Sequence, residues 1–437
     1  MNDASGTGQG RVSRRTLFAR AGGLVAAGGA AAALAGCENT TQPVAVAGSG
    51  GGGKGLLGDP TAGGPVDASG IPLARRDYPV TLPRIGDPVP SSRAPERGGV
   101  LRIYNYADYL NPSVLKEFGK REGVSVQVTT FQTLDEAFSK LSAGNLQTDL
   151  IWTTPDQLSR LVGRHLVQPL NYELLPNLQR NIWPELHDPF YDVGPRYTVP
   201  YVVYTTGIGW RNDKLNFDPA KLDQPWDAFW KATDYRGRVG ILDDSREAPG
   251  MALMRRGVTN LNTEDPQLLD RALRDLQDLD QRVRVKVTIS EYETLATGRM
   301  WLHQAWSGDL INAAMSYLPK GTPPSVLSYW QQADGGPVFN DCICVSANAT
   351  KPVLAHRFLN HLLDTKVAYE NFTGYVGYQP PMAATDADVL LRNEVVPPNL
   401  REAVVTREAY ANGSAYLTLS VRGQELWDST WAKFRNG

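Results

Sequence analysis

The sequence predicts an α/β protein divided into two lobes, and three observations point to this fold class. Strand-like segments alternate with helical patterns of about ten residues, which is typical of βαβ units and of a largely parallel sheet. Once an N-terminal leader and linker are set aside, roughly 340 residues remain, which is too many for one ordinary hydrophobic core. No internal repeat interrupts the alternation.

The first predicted elements lie close to residue 100. Residues 100–103 form the end of a short apolar strand, and Asn111 followed by Pro112 begins a helix as its N-cap and first helical residue. Residues 124–129 alternate between apolar and polar side chains, as in a strand with one buried face. Thr133 then begins the next helix with a capping box.

The same alternation continues toward the C-terminal end of the chain. A long helix is expected after Thr263, with Pro266 in its first turn, and another is expected to begin at Pro352. The remaining predicted strands are short apolar segments, namely residues 149–152, 205–210, 239–242, 301–306 and 338–345.

The N-terminal segment is expected to be a targeting signal and not part of the fold. Arg14 and Arg15 form a twin-arginine pattern, and the apolar run behind them is too short and small-sided to span a membrane. The run ends in Leu34-Ala35-Gly36-Cys37, which resembles the lipobox of bacterial lipoproteins. Residues 1–37 are therefore predicted to be a Tat-type lipoprotein signal peptide that ends at a lipidated Cys37. The alternative is a plain apolar leader that happens to contain a cysteine.

Residues 38–97 are rich in Gly, Pro, Ala and Ser, and we predict a linker with an extended arm for this segment. Residues 47–55, AGSGGGGKG, have the composition of a flexible tether. Residues 78–83, YPVTLP, allow two interpretations. They form either an arm that lies on the folded body or a continuation of the linker.

Carboxylates, most of them beside an aromatic residue, recur where predicted strands end. They lie within residues 106–109, 243–247, 306–309 and 339–341. In open α/β sheets, ligands bind beyond the carboxyl ends of the strands. An aromatic ring attracts a cation by about 0.5–2 kcal/mol, and carboxylates add charge-assisted hydrogen bonds to an ammonium group. A cleft lined in this way suits a long, flexible polycation.

Several of these residues also have a purely structural interpretation. Asp244 and Glu247 are three residues apart and suit a capping pair at the start of a helix. Trp306 suits a core aromatic residue, and Tyr104, deep in the first strand, is predicted to belong to the core. Asp341 is flanked by apolar residues, so its carboxylate needs a partner if it is buried.

Cys342 and Cys344 alternate along a predicted strand, which places their Cα atoms about 6.5–7 Å apart. This distance is the outer limit for a disulfide, and the side chains point in parallel directions. The favoured interpretation is a pair of small buried residues.

From about Gly98 to Gly437 the chain resembles the spermidine/putrescine-binding proteins, the extracytoplasmic receptors of polyamine ABC transporters. The resemblance is carried by the segments LRIYNYADYLNP, TDLIWTTPDQL, VPYVVYTTGIGW, GRVGILDDSREAPGMAL, FNDCICVSANA and VGYQPP. It implies the type 2 periplasmic-binding-protein fold, in which hinge crossovers join two lobes and the ligand cleft lies between them. The implied lobes are residues 98–203 with 341–386, and residues 204–340 with 387–437. The implied hinge lies near residues 201–205, near residues 340–342 and near Ala384.

The resemblance also implies which residues contact the ligand. Carboxylates would hold the amines, aromatic rings would form the walls, and Thr154 would contribute a hydroxyl. The implied ligand-binding residues are Tyr106, Asp108, Tyr109, Thr154, Asp156, Asp244, Glu247, Trp306, Phe339, Asp341 and Tyr378. Tyr106 and Phe339 stand where relatives often have Trp, and Asp156 stands where one relative has a tyrosine. These departures leave the preferred polyamine open.

The predicted function is that of a monomeric solute-binding protein that is lipid-anchored after Tat export and delivers a polyamine to an ABC transporter permease. Neither a cofactor nor a metal is expected, because the five histidines show no metal-ligand spacing. The formal charge of −2 and the lack of a basic stripe argue against nucleic acid. A receptor for another small solute is the alternative. An enzyme, for which no Gly-x-Ser-x-Gly motif is present, and a ligand-free scaffold protein are the other classes considered.

Overall fold

The computed structural model describes residue 66, residues 72–194 and residues 196–437. The predicted signal peptide with Cys37 and most of the predicted linker lie outside these residues. In the described part of the chain, strands form one sheet in the order β2-β1-β3-β9-β4-β7-β5-β6, and β8 also pairs with β4. The strands are β1 (Val100–Tyr106), β2 (Ser125–Phe131), β3 (Leu150–Thr153), β4 (Val199–Arg211), β5 (Val239–Ile241), β6 (Lys286–Val287), β7 (Leu302–Trp306), β8 (Leu327–Trp330) and β9 (Val338–Val345).

The sheet is mixed, so the expectation of a largely parallel sheet is wrong. Strand β1 is parallel to β2 and β3, and β5 is parallel to β6 and β7. Strands β4 and β9 lie between these two groups and are antiparallel to their partners. The alternation of strands and helices in the sequence predicted the direction of the strands in the two parallel groups only. It carries no information about strands that cross from one group to the other.

Helices connect most of the strands, and several begin where the sequence places a cap. The Asn111 side chain accepts a hydrogen bond from the Ser113 backbone N–H, and Thr133 accepts one from Glu136. The helices are α1 (Pro112–Glu122), α2 (Leu134–Ser142), α3 (Pro155–Gly163), α4 (Pro176–Asn181), α5 (Ala228–Lys231), α6 (Glu247–Arg255), α7 (Pro266–Val283), α8 (Glu291–Ala296), α9 (Ser307–Asn312), α10 (Pro352–Leu362), α11 (Thr365–Asn371), α12 (Ala387–Arg392), α13 (Arg407–Asn412) and α14 (Val421–Asn436).

Strand β4 belongs to both halves of the sheet. Its first part, from Val199 to Thr205, pairs with β9, and its second part, from Thr206 onward, pairs with β7 and β8. A Cβ atom at Gly207 would lie 2.1 Å from the Trp330 carbonyl oxygen, so a side chain cannot be accommodated where β4 meets β8. The chain therefore passes from one half of the sheet to the other within a single strand.

The buried apolar side chains form separate clusters on the two halves of the sheet. The first cluster surrounds β1, β3 and β9 and includes Trp152 and Phe358. The others lie beside β5, β7 and β8 and include Trp226 and Leu310. Separate cores of this kind are typical of a two-lobed fold. The lobe boundaries given above stay a prediction, and Tyr410, which they assign to the second lobe, packs in the first cluster.

Residues 72–97, called the N-terminal arm below, lie on the folded body. Leu82 is fully buried, and the Val80 backbone N–H donates to the Phe190 carbonyl oxygen at 2.7 Å. The Tyr197 hydroxyl donates to the Pro83 carbonyl oxygen at 2.6 Å. In the structure, residues 78–83 are therefore an ordered arm and not a free linker.

Three further features of the described residues bear on function. Cys342 and Cys344 are buried and both thiols are free. None of the described helices is both long and apolar enough to cross a membrane. In the same part of the chain, no group of three or more His, Cys, Asp or Glu side chains could hold a metal ion.

Candidate functional site

Most of the implied ligand-binding residues lie at or just beyond strand ends on the two halves of the sheet, whereas Asp341 lies within β9 and Tyr378 in an irregular segment after α11. Most of them, with two tyrosines that the sequence did not point to, contact one another directly or through a shared neighbour. We call this set the acidic–aromatic cluster; it consists of Tyr106, Tyr109, Tyr204, Asp244, Glu247, Trp306, Phe339, Asp341, Tyr378 and Tyr416.

Asp341 is one of two buried carboxyls at the centre of the cluster, and it lies on β9 with only 3% of its surface exposed. Its Oδ2 accepts a hydrogen bond from the Tyr109 hydroxyl at 2.9 Å, and its Oδ1 accepts one from the Tyr204 hydroxyl at 3.2 Å. Burial raises the pKa of Asp341 to about 7, although both hydrogen bonds act in the opposite direction. A cation placed beside this carboxyl would favour its ionised form.

Glu247 is the second buried carboxyl and the first residue of α6. Its Oε1 accepts hydrogen bonds from the Thr206 hydroxyl at 2.7 Å and from the Trp306 indole N–H at 2.9 Å. Its Oε2 accepts one from the Tyr416 hydroxyl at 3.3 Å. Burial, and secondly the charge of Asp244, raise the pKa of Glu247 to about 8.

The capping pair proposed for Asp244 and Glu247 is only half present in the structure, because Asp244 alone caps the helix. The Asp244 Oδ1 accepts hydrogen bonds from the backbone N–H groups of Arg246, at 2.8 Å, and of Glu247, at 3.0 Å. Asp244 therefore caps the first turn of α6, whereas the Glu247 carboxyl is directed toward β4, β7 and Tyr416. Burial also raises the pKa of Asp244.

Thr154 and Asp156 lie beyond β3, at the start of α3. The Thr154 hydroxyl donates to the Asp156 Oδ1 at 2.5 Å, and the Gln157 amide donates to its Oδ2 at 2.7 Å. The negative charge of Asp156 contributes to the raised pKa of Asp341 and of Asp244. Asp156 thus acts on the cluster electrostatically while its own carboxylate is held by neutral donors.

Tyr109 is the centre of the aromatic contacts on the first half of the sheet. Its ring lies edge to face against Tyr106, Tyr201 and Tyr378, at centroid distances of 5.7, 5.4 and 5.2 Å. Edge-to-face pairs of this kind are favourable beyond the area that they bury. Of the tyrosines in YNYADYL, Tyr104 is fully buried core, as expected, whereas Tyr106 and Tyr109 belong to the cluster.

A row of three rings connects the two buried carboxyls. The Phe339 ring lies 5.2 Å from Tyr204, which binds Asp341, and 5.1 Å from Tyr416, which binds Glu247. Aromatic contacts from Tyr204 through Phe339 to Tyr416 therefore lead from one acid to the other.

Asp108 and Trp306 lie at the edges of the cluster. Asp108 is exposed, has a left-handed backbone with φ of 56°, and accepts a hydrogen bond from the Tyr375 hydroxyl at 3.0 Å. Trp306 is half-buried and packs against the first hydrophobic cluster although it ends β7 on the other half of the sheet. The Trp306 ring therefore contributes to packing, and its indole N–H donates to the Glu247 carboxyl.

Tyr204, Thr206 and Tyr416 donate to the buried carboxyls, and the sequence reasoning did not select them. Tyr204 and Thr206 lie in β4, where alternation along VPYVVYTTGIGW could have placed them on one face. Tyr416 lies in an irregular segment between α13 and α14, and no local pattern marks it.

Comparison with known proteins assigns the chain to a family. Residues 113–394 match the bacterial extracellular solute-binding proteins, and the chain belongs to that family. It is similar to the spermidine/putrescine-binding periplasmic protein of Salmonella typhimurium, with 28% identity over 68% of this chain and 80% of that protein. It is also 28% identical to the putrescine/cadaverine-binding protein of Pseudomonas aeruginosa, over 65% of this chain and 80% of the relative.

Solved structures share the fold as well. The substrate-binding protein of the spermidine/putrescine ABC transporter of Streptococcus pneumoniae superimposes with a TM-score of 0.62 at 22% identity. The superposition covers 77% of this chain and 99% of that protein. The chain therefore has the two-lobed fold of the periplasmic binding proteins, as predicted.

Proposed function

We propose that this chain is an extracytoplasmic solute-binding protein that captures a polyamine of the spermidine or putrescine class and delivers it to an ABC transporter permease. The observation that carries the proposal is the pair of buried carboxyls, Asp341 and Glu247, connected by aromatic rings. The relatives named for binding spermidine, putrescine and cadaverine support the same ligand class.

The chemistry of the cluster suits an elongated dication. The donors to Asp341 and Glu247 come from tyrosine, threonine and tryptophan side chains, which carry no charge at neutral pH. An ammonium group beside each carboxyl would supply the positive charge that favours the ionised form. The methylene chain between two ammonium groups would lie against the row Tyr204, Phe339 and Tyr416.

Access to the cluster requires the two lobes to separate. Asp341 and Glu247 are 3% and 4% exposed, so a ligand cannot reach them from solvent in the described conformation. Strands β4 and β9 pass between the two halves of the sheet and are the elements about which such a motion would occur. The cluster would then close on the ligand and exclude water from both charge pairs.

The remaining parts of the proposal concern location and assembly. The twin-arginine leader supports Tat export, and the Leu-Ala-Gly-Cys37 sequence supports a lipid anchor on the outer face of the cytoplasmic membrane. The protein would act as a monomer. It would need no cofactor, because a receptor of this kind binds its solute and changes no covalent bond.

A receptor for another small amine is the second candidate. Smaller rings at Tyr106 and Phe339, together with the additional carboxylate of Asp156, preserve a preference for cations but change the shape of the site. Agmatine and cadaverine are the amines that test this alternative.

A binding panel on the purified full-length chain tests the proposal. Putrescine, spermidine, spermine, cadaverine and agmatine are compared by thermal shift and then by calorimetry. We expect putrescine, spermidine or spermine to raise the melting temperature and to bind with a stoichiometry of about one, whereas a response to agmatine or cadaverine alone would favour the second candidate. The control is 1,4-butanediol, which has the length of putrescine without its charges. No response to any amine, or an equal response to the diol, would contradict the proposal.

A further inference from the structure

We propose that Arg75, in the N-terminal arm, is a positioning residue that holds residues 416–418 against the acidic–aromatic cluster. The inference rests on the proposed function for its effect on the ligand. Its structural part, the fixing of residues 416–418, can be measured without a ligand.

Arg75 connects the arm to the C-terminal part of the chain. Its Nη2 donates to the Thr418 carbonyl oxygen at 2.9 Å, while its Nη1 donates to the Ala74 carbonyl oxygen at 2.8 Å. Arg76 makes similar contacts next to it, because its two terminal nitrogens donate to the carbonyl oxygens of Ala411 and Tyr410. Two adjacent guanidinium groups thus bind backbone carbonyls of α13 and of the irregular segment that follows it.

Residues 416–418 also contact both halves of the site. The Thr418 hydroxyl donates to the Asp156 carbonyl oxygen at 2.6 Å, and the Leu417 backbone N–H donates to the Asn262 side chain at 2.7 Å. Tyr416 binds Glu247 through its hydroxyl. A displacement of Thr418 would therefore move a side chain that contacts one of the two buried carboxyls.

The arm can hold this segment because the rest of it is fixed to the first half of the sheet. The Asn171 side chain donates to the Val89 carbonyl oxygen at 2.9 Å, and the Leu354 backbone N–H donates to the Glu96 carboxylate at 2.9 Å. Arg75 then extends from this fixed support to a segment bound to Asn262 on the other half. The arm is thus a strap across the two halves, with Arg75 at its end.

Part of this chain lies outside the fold that it shares with the solved relative from Streptococcus pneumoniae. That protein is covered over 99% of its length, yet the superposition leaves nearly a quarter of this chain without a counterpart. A single charged donor that binds a carbonyl oxygen at a half-buried position contributes enough to change a dissociation rate measurably.

Substitution of Arg75 in the full-length chain tests the inference. Arg75→Met removes the donors and keeps the aliphatic stem, and Arg75→Lys restores one donor. Arg93→Met is the matched control, because Arg93 is an exposed arginine of the same arm that pairs with the Glu96 Oε1 at 3.2 Å, whereas the anchoring bond from Leu354 uses the Glu96 Oε2. Two quantities are measured: amide hydrogen exchange at Leu417 and Ser420 without ligand, and the dissociation rate of spermidine.

We expect Arg75→Met to accelerate both exchange at these amides and spermidine release, the latter roughly tenfold. Arg75→Lys should recover part of both effects, and Arg93→Met should change neither. If Arg75→Met behaves like the Arg93 control in either quantity, the inference is wrong. If wild-type protein binds no polyamine, the proposed function fails, and the exchange rates alone decide whether Arg75 fixes residues 416–418.

Discussion

At the scale of single residues, the charge state of the cluster depends on two carboxyls. Asp341 has a pKa raised to about 7 and Glu247 a pKa raised to about 8, in each case mainly by burial. Both groups therefore exchange their protons close to physiological pH. Ligand binding and proton binding are consequently linked at the same atoms.

The first prediction concerns the pH dependence of the ligand-free protein. A carboxyl whose pKa is higher in the folded than in the unfolded state binds more protons when folded, so the free energy of unfolding falls as pH rises between the two values. For Glu247 this window extends from the ordinary value of 4.5 to about 8. Between pH 6 and 8 the melting temperature of wild type should fall more steeply than that of Glu247→Gln. Equal slopes for the two proteins would disprove the raised pKa.

The same linkage predicts that polyamine affinity increases with pH. Binding of an ammonium group requires ionised Asp341 and Glu247, so each protonated carboxyl must lose its proton when the ligand binds. Well below its pKa, each such group weakens binding by up to tenfold per pH unit. Calorimetry in buffers of different ionisation enthalpy should detect proton release at pH 6.5. Uptake of protons, or none, would be inconsistent with the assigned contacts.

A third prediction separates binding from stability at the two acids. Asp341→Asn and Glu247→Gln should each weaken polyamine binding by about 2–5 kcal/mol, since a desolvated ammonium loses its counter-charge. The melting temperature of the ligand-free protein should be unchanged or higher, because a buried carboxylate is itself unfavourable. Asp243→Asn is the control, because Asp243 is exposed and pairs with Arg435. Unchanged affinity with a lower melting temperature would make both acids structural.

Trp306 gives a fourth prediction at this scale. Trp306→Ala should weaken binding by about 1–3 kcal/mol, because it removes the ring and the N–H donor to Glu247. Trp306→Phe keeps a ring without the donor and should cost less. Trp301→Phe serves as the control, since its indole N–H donates to the Gly298 carbonyl oxygen outside the cluster. Normal affinity in a Trp306→Ala protein that melts much lower would assign Trp306 to the core.

At the residue scale, a site residue could be predicted from the sequence where its side chain was unusual for its local segment. Asp341 stood in an apolar strand and needed a partner, and the structure supplies Tyr109 and Tyr204. Tyr416 could not be found in this way, because it reaches Glu247 from a segment 169 positions away that has no periodic pattern. Contacts of that kind depend on the tertiary fold alone.

At the scale of elements, close packing of α9 against the loop after α11 sets the position of Tyr378. A Cβ atom at Gly308 would lie 2.4 Å from the Tyr378 ring, whose other neighbours are Tyr109 and Tyr204. The ring therefore has no free space on the side of α9. Helix α9 begins directly after β7, so the strand that ends at Trp306 also determines this contact.

A fifth prediction follows from that contact. Gly308→Ala should displace Tyr378, destabilise the ligand-free protein by about 1–3 kcal/mol and weaken polyamine binding. Gly119→Ala is the control: its Cβ atom would meet the Val124 carbonyl oxygen at 2.7 Å, on the first half of the sheet. That variant should lose stability and retain ligand affinity. If both variants bind alike, Tyr378 does not contribute to the site.

The elements themselves were predictable to different degrees. Caps and apolar spacing located α1, α2 and α7, because these signals are local. Strands β6 and β8 were not predicted, since neither forms a continuous apolar run like those that indicated the equally short β3 and β5. The direction of β4 and β9 within the sheet was also beyond local signals, because it depends on how the chain crosses between the two lobes.

At the scale of the whole molecule, the cluster is assembled from both halves of the sheet. Tyr109 and Asp341 lie on the half of the sheet that carries the first hydrophobic cluster, whereas Glu247 and Trp306 belong to elements of the other half. Binding and domain closure are therefore the same event in the proposed function. The family resemblance predicted this two-lobed architecture, which no single motif could have established.

The predicted anchor can be tested on whole cells. Cys37→Ala should release the protein from the membrane fraction while the folded part keeps its melting temperature, because the cysteine precedes a Gly-rich linker. A variant that is cleaved normally and still resists extraction by salt and carbonate would show that the membrane attachment has another origin.

The strap formed by the N-terminal arm has a mechanical consequence. Tension on the chain ahead of residue 72 acts first on the buried residues Leu73 and Ala74 and then on the contacts of Arg75 and Arg76, since the contacts of Val80, Val89 and Glu96 follow later along the arm. Peeling of the arm would therefore reach Thr418, and relax the segment that carries Tyr416, before it reached those later contacts. In the proposed function, a pull from the predicted tether would thus loosen the grip on the solute while the later contacts of the arm still hold.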